Sequence, residues 1–98
     1  KFIYDRIPFL APALRCAKIF TFPGGAANNK LHFSQYVKIN APIDENHQML
    51  LYDPQTSGGL LMAMPETDAE QYLEVANKDS TSAWMIGEVV PGDHIEVV

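Results

Sequence analysis

The stretch LLYDPQTSGGLLMAM, residues 50–64, constrains the fold of this chain more than any other. Two apolar runs flank a polar loop that ends in two glycines, which is typical of a strand, a turn and a second strand. Asp53 and Pro54 favour a turn, because an Asp side chain bonds nearby main-chain N–H groups and Pro presets its own φ. We therefore predict strands at MLLY and GLLMAM, with Pro65 ending the second.

A helix and two further strands are predicted after Pro65. ETDAEQYLEVAN has Thr67 at the N-cap and Glu70 three residues later, which is the capping-box pattern. The helix has an apolar stripe made of Ala69, Tyr72, Leu73 and Ala76. Strand 59–64, helix 67–77 and strand 83–90 would form a β-α-β unit with a right-handed crossover. HIEVV, after a turn at PGD, is the last predicted strand.

The first half of the chain has a weaker pattern. APALRCAKIF predicts a helix with Pro12 in its first turn, where a missing N–H costs little. Leu10, Leu14 and Ala17 would share one face of this helix. We predict that Pro23-Gly24-Gly25 ends the helix and begins a loop, and that Ala41–His47 is a mobile surface loop. The fold class is α+β, with too few helices to cover both faces of a sheet.

Charge and composition exclude several partners. The net charge of −5 argues against nucleic-acid binding, because no basic stripe displaces counterions. No apolar stretch approaches the roughly 18 residues of a membrane span, so we expect no membrane partner. A single cysteine fits a reducing compartment, and we expect a cytoplasmic protein. The chain has no signal peptide and no initiator Met, so we expect it to begin after processing or within a longer protein.

Two interpretations of DPQTSGG stay open at this stage. The loop is either an ordinary turn or a backbone cradle for an anion. Gly58 and Gly59 permit positive φ and leave room for a ligand, and the hydroxyls of Thr56 and Ser57 add donors. No Lys or Arg lies between Lys38 and Lys78, and no Gly-Lys-Ser/Thr follows, so the loop is not a P-loop.

The other candidate residues favour structural roles. Cys16 lies among apolar neighbours on a predicted helix, so we expect a buried small side chain and no nucleophile. Trp84 is expected in the core. His32, His47 and His94 lack the spacing of a metal site and are expected at the surface or in turns. The residues alone assemble no catalytic site and no metal site.

The chain resembles selenophosphate synthetase, also called selenide, water dikinase. The DPQTSGGLL signature of this family's carboxy-terminal domain is present in full at residues 53–61. IPFLAPALRCA, PGGAANN and AWMIGEVVPGDHIEV also resemble the family, so the similarity spans nearly the whole chain. One position departs from the family's PGG-T-x-x-N loop, because Ala26 replaces the Thr while Asn29 keeps the Asn.

The resemblance implies an activity and a fold. Such enzymes convert ATP, water and selenide to selenophosphate, AMP and phosphate, with Mg²⁺ as the metal. Their catalytic Cys or selenocysteine, Lys and metal-binding aspartates lie in an amino-terminal ATP-binding domain, so residues 1–98 would be a single, partial carboxy-terminal domain, inactive by itself and without bound cofactor. The implied fold is a layered α/β domain of the AIR-synthetase carboxy-terminal type with a ferredoxin-like β-α-β core.

The same resemblance implies the partners and the loop residues of interest. The partner that the resemblance implies is the amino-terminal domain of the parent chain. Separately, a truncated sheet exposes an edge or an apolar face that tends to be covered by another chain, so we expect a homodimer or a poorly soluble monomer. Asp53, Thr56, Ser57, Gly58 and Gly59 would lie near nucleotide or phosphate. Two alternatives remain: a related ATP-using member (AIR synthetase, thiamine-monophosphate kinase or the hydrogenase-maturation protein) and a non-catalytic assembly module.

Overall fold

The computed structural model describes residues 1–98 as an α+β arrangement of four helices and a short parallel sheet. Two 3₁₀ turns, Tyr4–Arg6 and Ser34–Tyr36, accompany these elements. The helices are α1 (Ala11–Lys18), α2 (Gly24–Phe33), α3 (Glu45–Leu51) and α4 (Glu66–Lys78), and the strands are β1 (Val37–Ile39) and β2 (Ile95–Val97). None of the helices combines the length and apolar character that a bilayer crossing requires.

The sheet is built around β2. Strand β1 pairs with it in parallel, with Val37 opposite Ile95 and Ile39 opposite Val97. On the other side of β2, Phe2 forms a parallel bridge to Val97 and an antiparallel bridge to Gly87. The amino-terminal residues therefore lie between β2 and the chain around Gly87, and they connect the two.

Main-chain hydrogen bonds hold this amino-terminal segment in place. The N–H of Phe2 donates to the carbonyl of Glu96 at 2.7 Å, and the N–H of Ile3 donates to Ile86 at 2.8 Å. The side chain of Lys1 also pairs with Glu88 at 2.6 Å. This contact raises the pKa of the Lys1 ammonium and lowers the pKa of the Glu88 carboxyl.

Most of the small core gathers around α3, while Val97 of β2 and Ala76 of α4 are also buried. Met49 and Tyr52 are buried there, and α3 packs against both α1 and α2. The neighbouring helices approach closely because they present small side chains: Ala17 of α1 and Ala26 of α2 are almost fully buried. The Lys30 ammonium, on α2, adds a bond of 2.9 Å to the Glu45 carboxylate of α3.

Helix α1 and strand β2 confirm the sequence predictions, with Pro12 in the first turn of α1. Leu14 and Ala17 of the predicted apolar face are covered, whereas Leu10 precedes the helix and is exposed. Helix α4 also forms, although it begins one residue early with Pro65 at its N-cap. The capping box at Thr67 is therefore wrong. In the predicted stripe of α4, Ala69, Leu73 and Ala76 are covered while Tyr72 is exposed.

Two helices replace predicted loops. Pro23 caps the start of α2, so Gly24 and Gly25 open a helix where we predicted that they follow one. The loop predicted at Ala41–His47 is wrong from Asp44 onwards, because the Asp44 carboxylate accepts the N–H of His47 and nucleates α3. MLLY, predicted as a strand, lies mostly in that helix, since its apolar run fits a buried helix face equally well.

The predicted β-α-β unit is not formed. Residues 59–64 have no regular secondary structure, and within residues 83–90 only Gly87 makes a bridge. The predicted PGD turn is a bend, with Gly92 at φ 157°. Helix α4 therefore has no strand on either side, and the ferredoxin-like core is not confirmed. Trp84 is exposed, which makes its placement in the core wrong, and Cys16 is exposed on α1 where we predicted burial.

Replacing Gly87 with Ala tests the role of the amino-terminal segment. A Cβ at Gly87 would clash with the Lys1 carbonyl oxygen and would lie 3.1 Å from the Phe2 Cα. Both obstacles are main chain, so we expect Gly87→Ala to lower the free energy of unfolding by about 1–3 kcal/mol in urea denaturation. The matched control is Gly24→Ala, whose Cβ meets nothing within 4 Å. Equal stability of the two variants would contradict the prediction.

Acid should weaken the start of α3. The Asp44 carboxylate accepts the main-chain N–H of His47 at 2.9 Å and the His47 Nδ1 lies 2.7 Å away, and both contacts lower the pKa of Asp44 from 3.8. Because the folded pKa is depressed, this stabilisation is complete above the unfolded value and is lost as pH falls through the folded value. We expect the melting temperature to fall more steeply in this acid range for the unmodified chain than for Asp44→Asn, which keeps a capping side chain. If scanning calorimetry shows the melting temperatures of the unmodified chain and of Asp44→Asn falling equally with pH, the prediction is refuted.

Candidate functional site

The predicted site loop, residues 53–59, leaves the end of α3 and turns at Thr56–Gly58. Tyr52, just before it, is buried, whereas the loop is half-buried at Asp53 and Pro54 and exposed from Gln55 onwards. No main-chain hydrogen bond in the structure involves any residue from Pro54 to Met64. The N–H groups and hydroxyls of Thr56–Gly59 therefore point to no partner within the chain.

The structure brings the two glycine-containing motifs together. A Cβ added to Gly25, in the first turn of α2, would lie 2.9 Å from the Cγ of Pro54. One turn later, the Asn29 side-chain amide donates to the carbonyl of Tyr52 at 2.9 Å. PGGAANN therefore positions the base of DPQTSGG, a contact between distant segments that neither motif indicates by itself.

The departure at Ala26 from the family's loop pattern can also be located. Ala26 is completely buried where α2 meets its neighbours, so its side chain offers no polar contact. Asn29 retains a polar contact, and that contact is with main chain of the loop base. In this structure the polar contact of the PGG segment holds the base of the loop in position.

The paired glycines of the loop are not required by the turn. Neither Gly58 nor Gly59 adopts positive φ, and Gly92 is the glycine that does. A Cβ at Gly59 would meet nothing within 4 Å, and one at Gly58 would meet only the flexible Gln55 side chain, at 3.4 Å and beyond. Conformational freedom and internal packing therefore leave both glycines unexplained.

Asp53 has a local role. Its carboxylate accepts a hydrogen bond from the Gln55 side-chain amide, and its N–H donates to the carbonyl of Leu50 at 3.3 Å. The residue thus closes the loop onto itself and onto the end of α3. The predicted bond from a main-chain N–H to the Asp53 carboxylate is not formed, because the Gln55 side-chain amide occupies that acceptor instead.

The donors of the loop suit an anion. Main-chain N–H groups and hydroxyls are donors for phosphate oxygens. The structure contains no group of three His, Cys, Asp or Glu side chains that could hold a metal ion. His47 and His94 each pair with an aspartate at 2.7 Å, and the His94 contact lowers the pKa of Asp93. His32 is exposed and stacks edge-on against Phe33.

A groove that the sequence did not indicate lies between the amino-terminal 3₁₀ turn and α4. It is an open groove of about 460 Å³ lined by Asp5, Arg6, Ile7, Pro8, Leu73, Ala83, Trp84 and Met85. An adjoining groove of about 320 Å³ shares Leu73, Ala83 and Trp84 with it. The loop at residues 53–59 lines neither groove.

Comparison with known proteins identifies relatives over most of the chain. It is 37% identical over 86 residues to the selenide, water dikinase of Clostridium botulinum (strain Alaska E43 / Type E3), covering 88% of this chain and 25% of the relative. It is 31% identical over 96 residues to the selenide, water dikinase of Aliarcobacter butzleri, covering 97% and 28%. The enzyme of that name from Pelobacter propionicus is 38% identical over 85 residues, covering 86% and 24%.

The chain therefore spans about a quarter of the length of the curated relatives it matches. The resemblance found in the DPQTSGGLL signature is confirmed by these matches. Independently, residues 24–98 match the family model described as AIR synthase related protein, C-terminal domain. The chain belongs to the AIR synthase related protein family, by its C-terminal domain.

Proposed function

We propose that this chain acts as the carboxy-terminal part of a selenide, water dikinase, which makes selenophosphate, AMP and phosphate from selenide, ATP and water. The matched relatives carry that name, and the complete DPQTSGGLL run at residues 53–61 supports the same assignment. Within this proposal the amino-terminal ATP-binding domain supplies the nucleophile, its Lys and the metal-binding aspartates. The 98 residues alone are then inactive and bind no cofactor.

The observation that carries the proposal for the loop is the unexplained glycine pair. Gly59 has neither positive φ nor any neighbour that a Cβ would meet, so the fold itself does not need a glycine there. A ligand that approaches the main chain does need one, because a side chain would hold it away. Phosphate is the ligand that the free N–H groups and the hydroxyls of Thr56 and Ser57 fit.

In this proposal the chain binds and orients, and it transfers no proton. The main-chain N–H groups of Thr56–Gly59 and the two hydroxyls donate to phosphate oxygens of the nucleotide or of a product. Asn29 and Gly25 hold the base of the loop at Tyr52 and Pro54. ATP supplies the phosphoryl groups. In this proposal the ligands of Mg²⁺ belong to the amino-terminal domain.

Calorimetric titration with ATP and Mg²⁺ tests this division of labour. We expect the longer protein, meaning the parent chain that also contains the amino-terminal domain, to bind ATP and to form selenophosphate from selenide, as detected by phosphorus NMR. We expect the 98-residue chain to show no saturable heat. Saturable binding to the chain alone would mean that the loop is a complete cradle. A longer protein that binds ATP without forming selenophosphate would overturn the assignment of the reaction.

Substitutions in the loop should weaken nucleotide binding without destabilising the fold. In the longer protein we expect Gly59→Val and Thr56→Ala to lower ATP affinity by about tenfold, the loss of one good hydrogen bond or close approach. Thr67→Ala, which replaces an exposed threonine in the first turn of α4, is the control and should leave ATP affinity unchanged. Unaltered affinity and full activity in both loop variants would exclude the phosphate role.

The adjacent pair Gly24 and Gly25 tests whether α2 positions the loop. Gly25→Ala places a methyl group 2.9 Å from Pro54 and should displace the loop base, lowering ATP affinity in the longer protein. Gly24→Ala meets nothing within 4 Å and should bind ATP normally. We also expect amide chemical shifts of residues 55–59 to move in Gly25→Ala only. Identical loop spectra for the two variants would argue against positioning.

A further inference from the structure

Four segments of main chain lie side by side around β2. Strand β1 pairs with β2, and β2 is bridged in parallel to the amino-terminal segment, residues 1–4, through Val97 and Phe2. On its other side, the amino-terminal segment is bridged in the antiparallel sense to the chain at Gly87. The amino-terminal segment therefore lies between two neighbours, and the bridges give its register against each of them.

Charged residues of alternating sign form a row across these four segments. Lys38 of β1 lies opposite Glu96 of β2. The residue before Phe2 is Lys1, and the bridges place it between Glu96 and Glu88. In this charged row, Lys38–Glu96–Lys1–Glu88, each charge has only opposite charges beside it. Opposite charges on neighbouring strands are favourable, whereas like charges are unfavourable.

The next row along the segments is apolar and lies on the opposite face, because successive strand residues point to opposite faces. It consists of Ile39, Val97, Phe2 and Gly87, and Val97 is buried. A shift of the amino-terminal segment by one residue would move Phe2 to the charged face. A shift by two residues would place Ile3 between the two carboxylates. The apolar row opposes the first shift, and the charged row opposes the second.

The centre of the charged row is a short ion pair. The Lys1 ammonium lies 2.6 Å from the Glu88 carboxylate. The hydrogen bond and charge of Glu88 raise the pKa of Lys1, and the charge of Glu96 raises it further. The hydrogen bond and charge of Lys1 lower the pKa of Glu88, and the amino group of Lys1 and the Arg6 guanidinium act in the same direction. The Glu96 carboxylate also lies 3.6 Å from Nε2 of His94.

We propose that the charged row is a latch, which holds the amino-terminal segment in register between β2 and residues 86–88 and releases it when Lys1 or Glu88 loses its charge. Because folding lowers the pKa of Glu88, the contribution of Glu88 is complete above its unfolded pKa and is lost as pH falls through the folded pKa. Folding raises the pKa of Lys1, so the contribution of Lys1 is complete below its unfolded pKa and is lost as pH rises through the folded pKa. The latch therefore holds near neutral pH and loosens at both extremes.

Amide hydrogen exchange in the 98-residue chain tests the latch. The N–H groups of Phe2 and Ile3 bond to the neighbours of the amino-terminal segment, whereas the N–H of Tyr52 bonds within the helices. The ratio of the first two exchange rates to the third separates local opening from global unfolding. At low salt we expect Glu88→Gln to raise this ratio about twofold to fivefold, the effect of losing one exposed ion pair. The difference from the unmodified chain should disappear in acid, where Glu88 is protonated.

The ion pair of Lys30 and Glu45 provides the matched control. Its length of 2.9 Å and its exposure resemble those of the pair of Lys1 and Glu88, but it joins α2 to α3. Glu45→Gln should therefore leave the ratio unchanged. An unchanged ratio in Glu88→Gln, or an equal rise in Glu45→Gln, would overturn the latch.

Inverting the charges distinguishes a row from an isolated ion pair. Lys1→Glu combined with Glu88→Lys restores an isolated pair, but in the row it leaves a carboxylate at position 1 beside Glu96. We expect the ratio to stay raised in this double variant. Adding Glu96→Lys and Lys38→Glu inverts the whole row and should lower the ratio again. Full recovery in the double variant, or no recovery in the fourfold variant, would contradict the row. No nucleotide takes part, so these outcomes are independent of the proposed function.

Discussion

The pairing of Phe2 holds the two ends of this structure together. Its main chain bonds to β2 on one side, and it bridges to Gly87 on the other, so that β2 is flanked by β1 and by the amino-terminal segment. Because β2 has only three residues, it depends on having a neighbour on each side. Gly87 permits the approach, since a Cβ there would collide with the Lys1 main chain. A single glycine thus allows the sheet to close around the start of the chain.

The sequence predicted the elements that local chemistry determines. Pro12 in the first turn located α1, and the apolar stripe located α4 within one residue of its start, although the capping box predicted there is wrong. Three predictions failed for identifiable reasons. Asp44 followed by Glu45 is a helix start that looks like a polar loop, and MLLY is apolar enough for a buried helix or a strand. Pro23 before two glycines precedes a helix as readily as it follows one, and the choice is made by packing of Ala26 and Gly25 against α3 and Pro54.

The candidate site also combines features that the local sequence predicts with features that only the packing decides. The loop and its hydrogen-bond donors follow directly from the sequence, because Asp-Pro starts a turn and Thr-Ser-Gly-Gly exposes N–H groups. Its attachment to α2 does not, since Asn29 and Tyr52 are 23 residues apart and no local pattern pairs them. The structure also changes the meaning of the glycines. They permit positive φ in principle, yet the turn does not use it, and a ligand role for them belongs to the proposed function.

The parallel pairing of β1 with β2 has a consequence for how the chain folds. Val37 pairs with Ile95, a separation of 58 residues, and a loop of that length must close before any bond of the pair can form. The contacts among α1, α2 and α3 are much more local and are complete once residue 54 has been synthesised. During translation the three-helix cluster can therefore form first, while β1 keeps an open edge until the ribosome has added β2. The three helices can thus assemble before the sheet does, in the order in which the chain is synthesised.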